Sequence, residues 1–109
     1  MMHRLFAGVF CFGFASLALA TGAQASTAIT TQWNDTTLSQ SECLKRAETA
    51  IRRGGFDSLA HTQESRHGVR GDYSVSIRCM AEKGVVFFVV AGPSRDRTPK
   101  YMDDVFKEF

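Results

Sequence analysis

The N-terminal 25 residues most constrain what this 109-residue chain can fold into, because they have the layout of a cleaved export signal. Arg4 is the only firm charge before an unbroken stretch of apolar and small residues, 5–20, and Ala23-Gln24-Ala25 offers small side chains at the positions that a signal peptidase reads. As a helix the stretch would span roughly 24 Å, less than the roughly 30 Å of a hydrocarbon core. We therefore expect cleavage before Ser26 and a periplasmic or secreted protein with no membrane span.

Removal of this segment leaves 84 residues, 26–109, which suits one small domain. Without Arg4, twelve Lys and Arg stand against eleven Asp and Glu, so the mature chain is nearly neutral. Its cations are scattered, with no run longer than two, and no Gly-rich phosphate loop opens a helix. We therefore expect neither nucleic-acid binding nor a cofactor.

Cleavage also removes Cys11 and leaves two cysteines, Cys43 and Cys79. An even pair in a small exported domain most simply forms a disulfide. Cys43 falls on the apolar stripe of a predicted helix and Cys79 on the apolar side of a predicted strand, so both should point into one core. Closing a loop of this length stabilises the fold by on the order of 4 kcal/mol in the chain-entropy model. Two cysteines with the distant His61 and His67 make a poor metal site, and we expect none.

The first helix of the mature chain is marked at both ends. Ser39-Gln40-Ser41-Glu42 is a capping box, and Gly54-Gly55 stops the helix after two arginines. A strand rich in β-branched residues is predicted before it, over residues 28–33, without a determined place in the sheet. One apolar stripe of the helix should be buried. This stripe consists of Cys43, Leu44, Ala47, Ala50 and Ile51.

The second half of the chain changes to the period of a β-strand. Residues 59–66 predict a polar strand near an edge, and residues 68–72 a turn with two glycines for positive φ. Residues 73–80 alternate as a half-buried strand, and residues 82–84 close a hairpin in which the glycine suits a left-handed conformation. Residues 85–90 are apolar on both faces. The second face of that strand must meet the N-terminal segment, a second copy or another partner.

A second helix closes the chain, with Thr98 as N-cap and Pro99 as the first helical residue. Its apolar residues recur at helical spacing and predict core packing. They are Met102, Val105, Phe106 and Phe109. The order β-α-β-β-β-α predicts an α+β two-layer sandwich, an antiparallel sheet of three to four strands with two helices on one face.

Residue types suited to acid–base chemistry cluster in the polar strand. In small secreted ribonucleases a sheet presents Glu, His and Arg for general acid–base cleavage. In this chain Glu64 and Arg66 would share one strand face, and His61 and His67 the other, so the two sets do not converge. A hydrolase that uses Glu64 with His61 or His67 is therefore an alternative hypothesis beside an ordinary polar edge strand.

The leading hypothesis is a non-enzymatic binding or interaction module, because the chain lacks convergent chemistry and has a strand that is apolar on both faces. Its partner would be another protein, or a second copy joined through Val85–Val90. Another alternative is an inhibitor that presents the 68–72 hairpin to an enzyme. The arginines beside Tyr73 would form a cationic surface for a carboxylate or phosphate. The residues expected at the interaction surface are Val86, Phe88, Val90, Arg66, Arg70, Tyr73 and Arg78.

Five short motifs are distributed over most of the mature chain. They are Cys43-Leu44, Gly55-Phe56, Gly71-Asp72-Tyr73, Ile77-Arg78-Cys79 and Ala91-Gly92-Pro93. Together they resemble a group of small, uncharacterised bacterial proteins with export signals. The resemblance implies a helix stop, a hairpin, a disulfide and a strand end, and it implies no activity and no site residues.

Overall fold

The computed structural model describes residues 26–59 and 61–109, and the predicted export segment lies outside the described residues. Within them, strand, helix, four strands and a second helix follow in order, with one 3-10 turn, Ala81–Lys83, between the last two strands. The strands are β1 (Ala28–Asp35), β2 (Asp57–Ser58), β3 (Ser65–Arg70), β4 (Tyr73–Met80) and β5 (Val85–Gly92), and the helices are α1 (Gln40–Arg53) and α2 (Thr98–Phe106).

The five strands form one antiparallel sheet in the order β1-β5-β4-β3-β2. This confirms the α+β class with two helices, and the sheet has five strands where three to four were predicted. The predicted polar strand over residues 59–66 is wrong for most of its length: residues 59 and 61–64 belong to no strand, and the chain instead forms β2 before them and β3 from Ser65. The Thr62 hydroxyl accepts the backbone N–H of Ser65 (3.1 Å), and this turn separates the two-residue β2 from β3.

Both helices pack on the same face of the sheet. α1 lies against β3 and β4, and α2 against β5 and β1. The predicted stripe of α1 is buried throughout, and in α2 Met102 and Val105 are buried while Phe106 and Phe109 contact the ring of Phe88 edge to face. The sheet contributes every second residue of β4 and β5 to this core. These residues are Tyr73, Val75, Ile77, Cys79, Val86, Phe88 and Val90.

A disulfide between Cys43 and Cys79 joins α1 to β4, as predicted. Gln40, at the start of α1, strengthens the same junction. Its side-chain Nε2 donates to the carbonyl oxygen of Cys79 (2.9 Å), and its Oε1 accepts the N–H of Ala81 (3.0 Å). Helix α1 is therefore held to the end of β4 by one covalent bond and two hydrogen bonds.

Glycine 68 has a different role from the one the sequence suggested. β3 continues to Arg70, so the turn consists of Gly71 and Asp72 alone, and only Gly71 has a positive φ, +58°. Gly68 lies inside the strand, where a Cβ atom would stand 2.5 Å from Cγ2 of Ile51. Close packing of α1 on β3, and not turn geometry, therefore requires glycine at this position.

The start of α2 also differs in detail. Thr98 is the first helical residue and not the N-cap, and its Oγ1 accepts a hydrogen bond from the hydroxyl of Thr30 (2.8 Å), which ties α2 to β1. Neither α2 nor α1 has the length and apolar character needed to cross a bilayer, which holds for every helix in the described ranges.

Candidate binding surface

One face of the sheet has no helix on it. We call it the open face and define it by the residues of each strand that alternate with the core residues. Residues paired across neighbouring strands share a face, so the register identifies them. The open face consists of Ile29, Thr31, Trp33 and Asp35 on β1, Val85, Phe87, Val89 and Ala91 on β5, Ser74, Ser76, Arg78 and Met80 on β4, Ser65, His67 and Val69 on β3, and Asp57 on β2.

The open face gathers the large exposed hydrophobic side chains of the described residues. Ile29 is 63% exposed, Trp33 59% and Leu59 50%. Leu59 belongs to this face because its N–H donates to the carbonyl oxygen of His67 (2.9 Å), which continues the row of residues across the sheet. Leu59 lies at the opposite edge of the sheet from Ile29 and Trp33, which continue onto the half-buried Phe87 and Val89 of β5. A contiguous apolar patch of the second kind marks an interaction surface.

A groove crosses the open face. Its floor is Ser74 and Ser76, whose small side chains leave room between Val89 on one side and His67 with Leu59 on the other. The groove encloses about 310 Å³. The alternation of serine with buried valine and isoleucine in β4 therefore produces a depression on one face and a packed core on the other.

An aromatic and cationic row borders the groove. Trp33 pairs with Phe87, and Phe87 pairs with Arg78 in the next strand. The Arg78 guanidinium lies 3.5 Å from the carboxylate of Glu64, and both side chains are more than half exposed. The open face thus has its apolar side chains on β5 and the edge strand β1, whereas the serines and Arg78 lie on the central strand β4.

The residues of β5 that were expected at the interaction surface lie in the core. Val86, Phe88 and Val90 are fully buried beneath the helices. Their neighbours Val85, Phe87 and Val89 form the surface instead. Because both faces of this strand are apolar, the sequence pattern does not distinguish the two sets, and only the placement of the helices does.

The arginines and the tyrosine expected beside them do not form one cationic surface. Arg70 donates to the carbonyl oxygen of Gly54 (3.1 Å) and its guanidinium lies 4.0 Å from the ring centre of Tyr101. The Arg66 side chain is only 15% exposed and donates to the carbonyl oxygen of Thr62 (2.8 Å). Both have structural roles on the helix side of the sheet, and of the three arginines only Arg78 lies on the open face.

Tyr73 has a structural role as well. Its ring is buried beside Gly92, where any Cβ atom would collide with it, and its hydroxyl accepts the N–H of Ser94 (3.0 Å). It therefore holds the end of β5 against β4 and is not available to a partner.

The acid–base candidates are separated in a different way from the one predicted. Glu64 precedes β3, so it does not share a strand face with Arg66; it contacts Arg78, whereas Arg66 lies 3.7 Å from Glu48 of α1. Glu64 and Arg78 line a second depression of about 450 Å³ at the end of the sheet, and neither His61 nor His67 is part of its lining. His67 instead forms a wall of the open-face groove.

The 68–72 hairpin offers a partner enzyme fewer accessible residues than a free loop would. Its exposed tip is Gly71 and Asp72, while Arg70 is tied down from behind by Asp104 (3.2 Å) and Tyr101. Within residues 26–59 and 61–109, no group of three or more His, Cys, Asp or Glu side chains is placed to hold a metal ion.

The fold and surface define a class: a small disulfide-linked α+β sandwich with one covered and one open sheet face. Comparison with protein-family models matches no family, and comparison with curated proteins finds no significant relative. Sequence reasoning missed Trp33, Leu59 and the serine floor of the groove. The doubly apolar strand β5 was a signal for an apolar surface that includes its cross-strand neighbour Trp33, whereas Leu59 lies too far from β5 to be found in this way.

Proposed function

We propose that this protein is an exported, non-enzymatic binding module that docks a protein partner on its open face. One observation carries the proposal: Ile29, Trp33 and Leu59 all lie on the face that the helices leave uncovered. Ile29 and Trp33 adjoin Phe87 and Val89 of β5, and a contiguous apolar patch of this kind usually marks a surface that a partner covers.

The shape of the face indicates what the partner presents. The groove is lined by apolar side chains over a serine floor, so it suits one or two apolar side chains of the partner, with the serine hydroxyls available for hydrogen bonds. Arg78 is held only by an exposed ion pair with Glu64, which is weak, so an acidic group on the partner can replace Glu64. Export is supported by the predicted signal and by the Cys43–Cys79 disulfide, which needs an oxidising compartment to persist.

The test is capture by crosslinking in the exported fraction, with a matched pair of variants. Val89→Arg places a charge in the wall of the groove, and Thr49→Arg places the same side chain on the exposed side of α1. We expect the wild-type chain and Thr49→Arg to capture the same partner, and Val89→Arg to lose it while keeping the wild-type melting temperature. Binding of the purified partner should then be measured directly through the emission of Trp33, the only tryptophan of the chain. Capture that is equal for both variants would place the binding site elsewhere.

A further inference from the structure

The two edges of the sheet differ in a way that bears on assembly. One edge ends in the two-residue β2, whereas the other is the eight-residue β1, which pairs with β5 without a bulge from Ala28 opposite Gly92 to Asp35 opposite Val85. No strand from the described ranges lies beyond β1. Residues 28–35 also contain no Lys, Arg, Pro or Gly, the residues that commonly block pairing at an edge.

The hydrogen-bond phase shows which backbone groups of β1 point outward. The N–H of Thr36 donates to the carbonyl oxygen of Gly84 (2.9 Å), the position directly opposite in the register. Such pairs alternate along an antiparallel ladder, so the even-numbered residues of β1 direct their N–H and C=O groups toward β5. The N–H and C=O groups of Ile29, Thr31 and Trp33 therefore point away from the sheet.

We propose that β1 pairs with β1 of a second copy of this chain, antiparallel, about a twofold axis at Thr31. In this register the outward backbone groups of Ile29, Thr31 and Trp33 meet the same groups of the second copy in hydrogen-bonding phase. Ile29 stands opposite Trp33 of the second copy, and Trp33 opposite its Ile29. Asp35 stands opposite Thr27, so no like charges face each other.

The choice of register rests on side chains as well as on the backbone. Ile29 and Trp33 are exposed in one copy, and a β-branched residue opposite an aromatic residue is a favourable cross-strand pair. A shift that centres the axis on Gln32 would keep the backbone phase but place Ile29 opposite Asp35. A register centred on Thr31 avoids this conflict and keeps the whole strand paired.

The resulting dimer contains a continuous sheet of ten strands with both open faces on the same side. The dimer would cover Ile29 and Trp33, which also belong to the surface proposed for the partner, but the pairing uses the backbone edge of β1 and leaves the far wall of the groove, His67 and Leu59, accessible. Self-association by strand addition through Val85–Val90 is not available, since β5 is hydrogen-bonded on both sides, to β1 and β4.

Sedimentation equilibrium of the full chain purified after export tests the proposal. We expect a concentration-dependent dimer, and a shift of Trp33 emission to shorter wavelength as the dimer forms. Thr31→Pro removes an N–H that the chain itself does not use, and should raise the dimer dissociation constant about tenfold or more with unchanged circular dichroism. Thr31→Lys, which keeps the backbone N–H and adds an edge charge, provides a second variant should the proline variant fold poorly.

A charge exchange tests the register itself. Ile29→Lys and Trp33→Glu should each weaken the dimer, and the double variant should recover much of the loss because opposite charges then face each other across the axis. His67→Arg, in the groove wall three strands from β1, should dimerise like the wild type. A monomer at all accessible concentrations, a dimer unaffected by both Thr31 variants, or a dimer broken by His67→Arg would overturn the proposal. Failure of the double variant to recover would overturn the Thr31-centred register.

Discussion

The same strands contribute side chains to the core on the covered face of the sheet and to the solvent-exposed surface on the open face. On β5, Phe88 is fully buried against Phe106 and Phe109, whereas the adjacent Phe87 lies between Trp33 and Arg78 on the surface. On the covered face side chains meet neighbours that fix them, so their loss leaves a cavity. On the open face they meet solvent and a shallow groove, so their loss should change association more than stability. Two residues of the same type therefore contribute differently to stability, because one packs against the helices and the other faces solvent.

Truncation of the two adjacent phenylalanines is the strongest test of the difference between the covered and the open face. We expect Phe88→Ala to lower the free energy of unfolding by about 4 kcal/mol, and Phe87→Ala by about 1 kcal/mol, because only the first leaves a closed cavity in the core. Urea unfolding followed by circular dichroism measures both. Equal losses for the two variants would show that the open face is covered in solution.

Loss of the disulfide on the covered face should have the next largest effect on stability. Replacing both cysteines by alanine, at positions 43 and 79, should cost about 3 kcal/mol, since the link constrains the unfolded chain. Thermal unfolding with and without a reducing agent measures this cost. Reduction should destabilise the wild type and leave the double variant unchanged. A wild-type protein that melts at the same temperature under both conditions would contradict it.

Alanine substitution of two glycines in the β3–β4 hairpin distinguishes the cost of steric crowding from the cost of a positive φ. Gly68→Ala should cost about 2 kcal/mol, because the new methyl group overlaps Ile51 of α1. Gly71→Ala should cost about 1 kcal/mol, from its positive φ alone, as its side has no neighbour within 4 Å. Chemical denaturation of both variants gives the ranking. Removal of the Cγ2 atom with Ile51→Ala should relieve the clash, so the cost of Gly68→Ala should be smaller in the Ile51→Ala background, and the cost of Gly71→Ala should be unchanged there.

Substitution of two arginines should change stability least, but it should distinguish most specifically between a structural role and a role in binding. Arg70→Met removes the contacts with Tyr101, Gly54 and Asp104 and should cost about 1 kcal/mol. Arg78→Met removes one exposed ion pair and should change stability by less than about 0.5 kcal/mol. If the open face binds an acidic group, Arg78→Met should nevertheless weaken partner binding, whereas Arg70→Met should not. A reversal of this pattern would move the binding site to the hairpin side.

Local signals in the sequence predicted much of the covered face. The Ser39 side chain accepts the N–H of Glu42 (3.2 Å), which is the N-cap half of the predicted capping box, and the stripe of α1 is buried as its spacing indicated. Alternation in β4 placed Cys79 on the core side, and so the disulfide followed. These features depend on residues a few positions apart, where helix and strand periods are decisive.

The candidate site was less predictable, because it depends on contacts between distant segments. Strand β5 is apolar on both faces, so its sequence could not show that Val86, Phe88 and Val90 lie inside and Phe87 outside. The position of the helices, which cover one face of the whole sheet, determines which of these residues are buried. The sequence by itself determined the class of fold, the buried stripe of α1 and the cysteine pair. Tertiary structure alone decided which face remained open and which strand, β1, lay at the long edge, since both follow from long-range packing that no local period encodes.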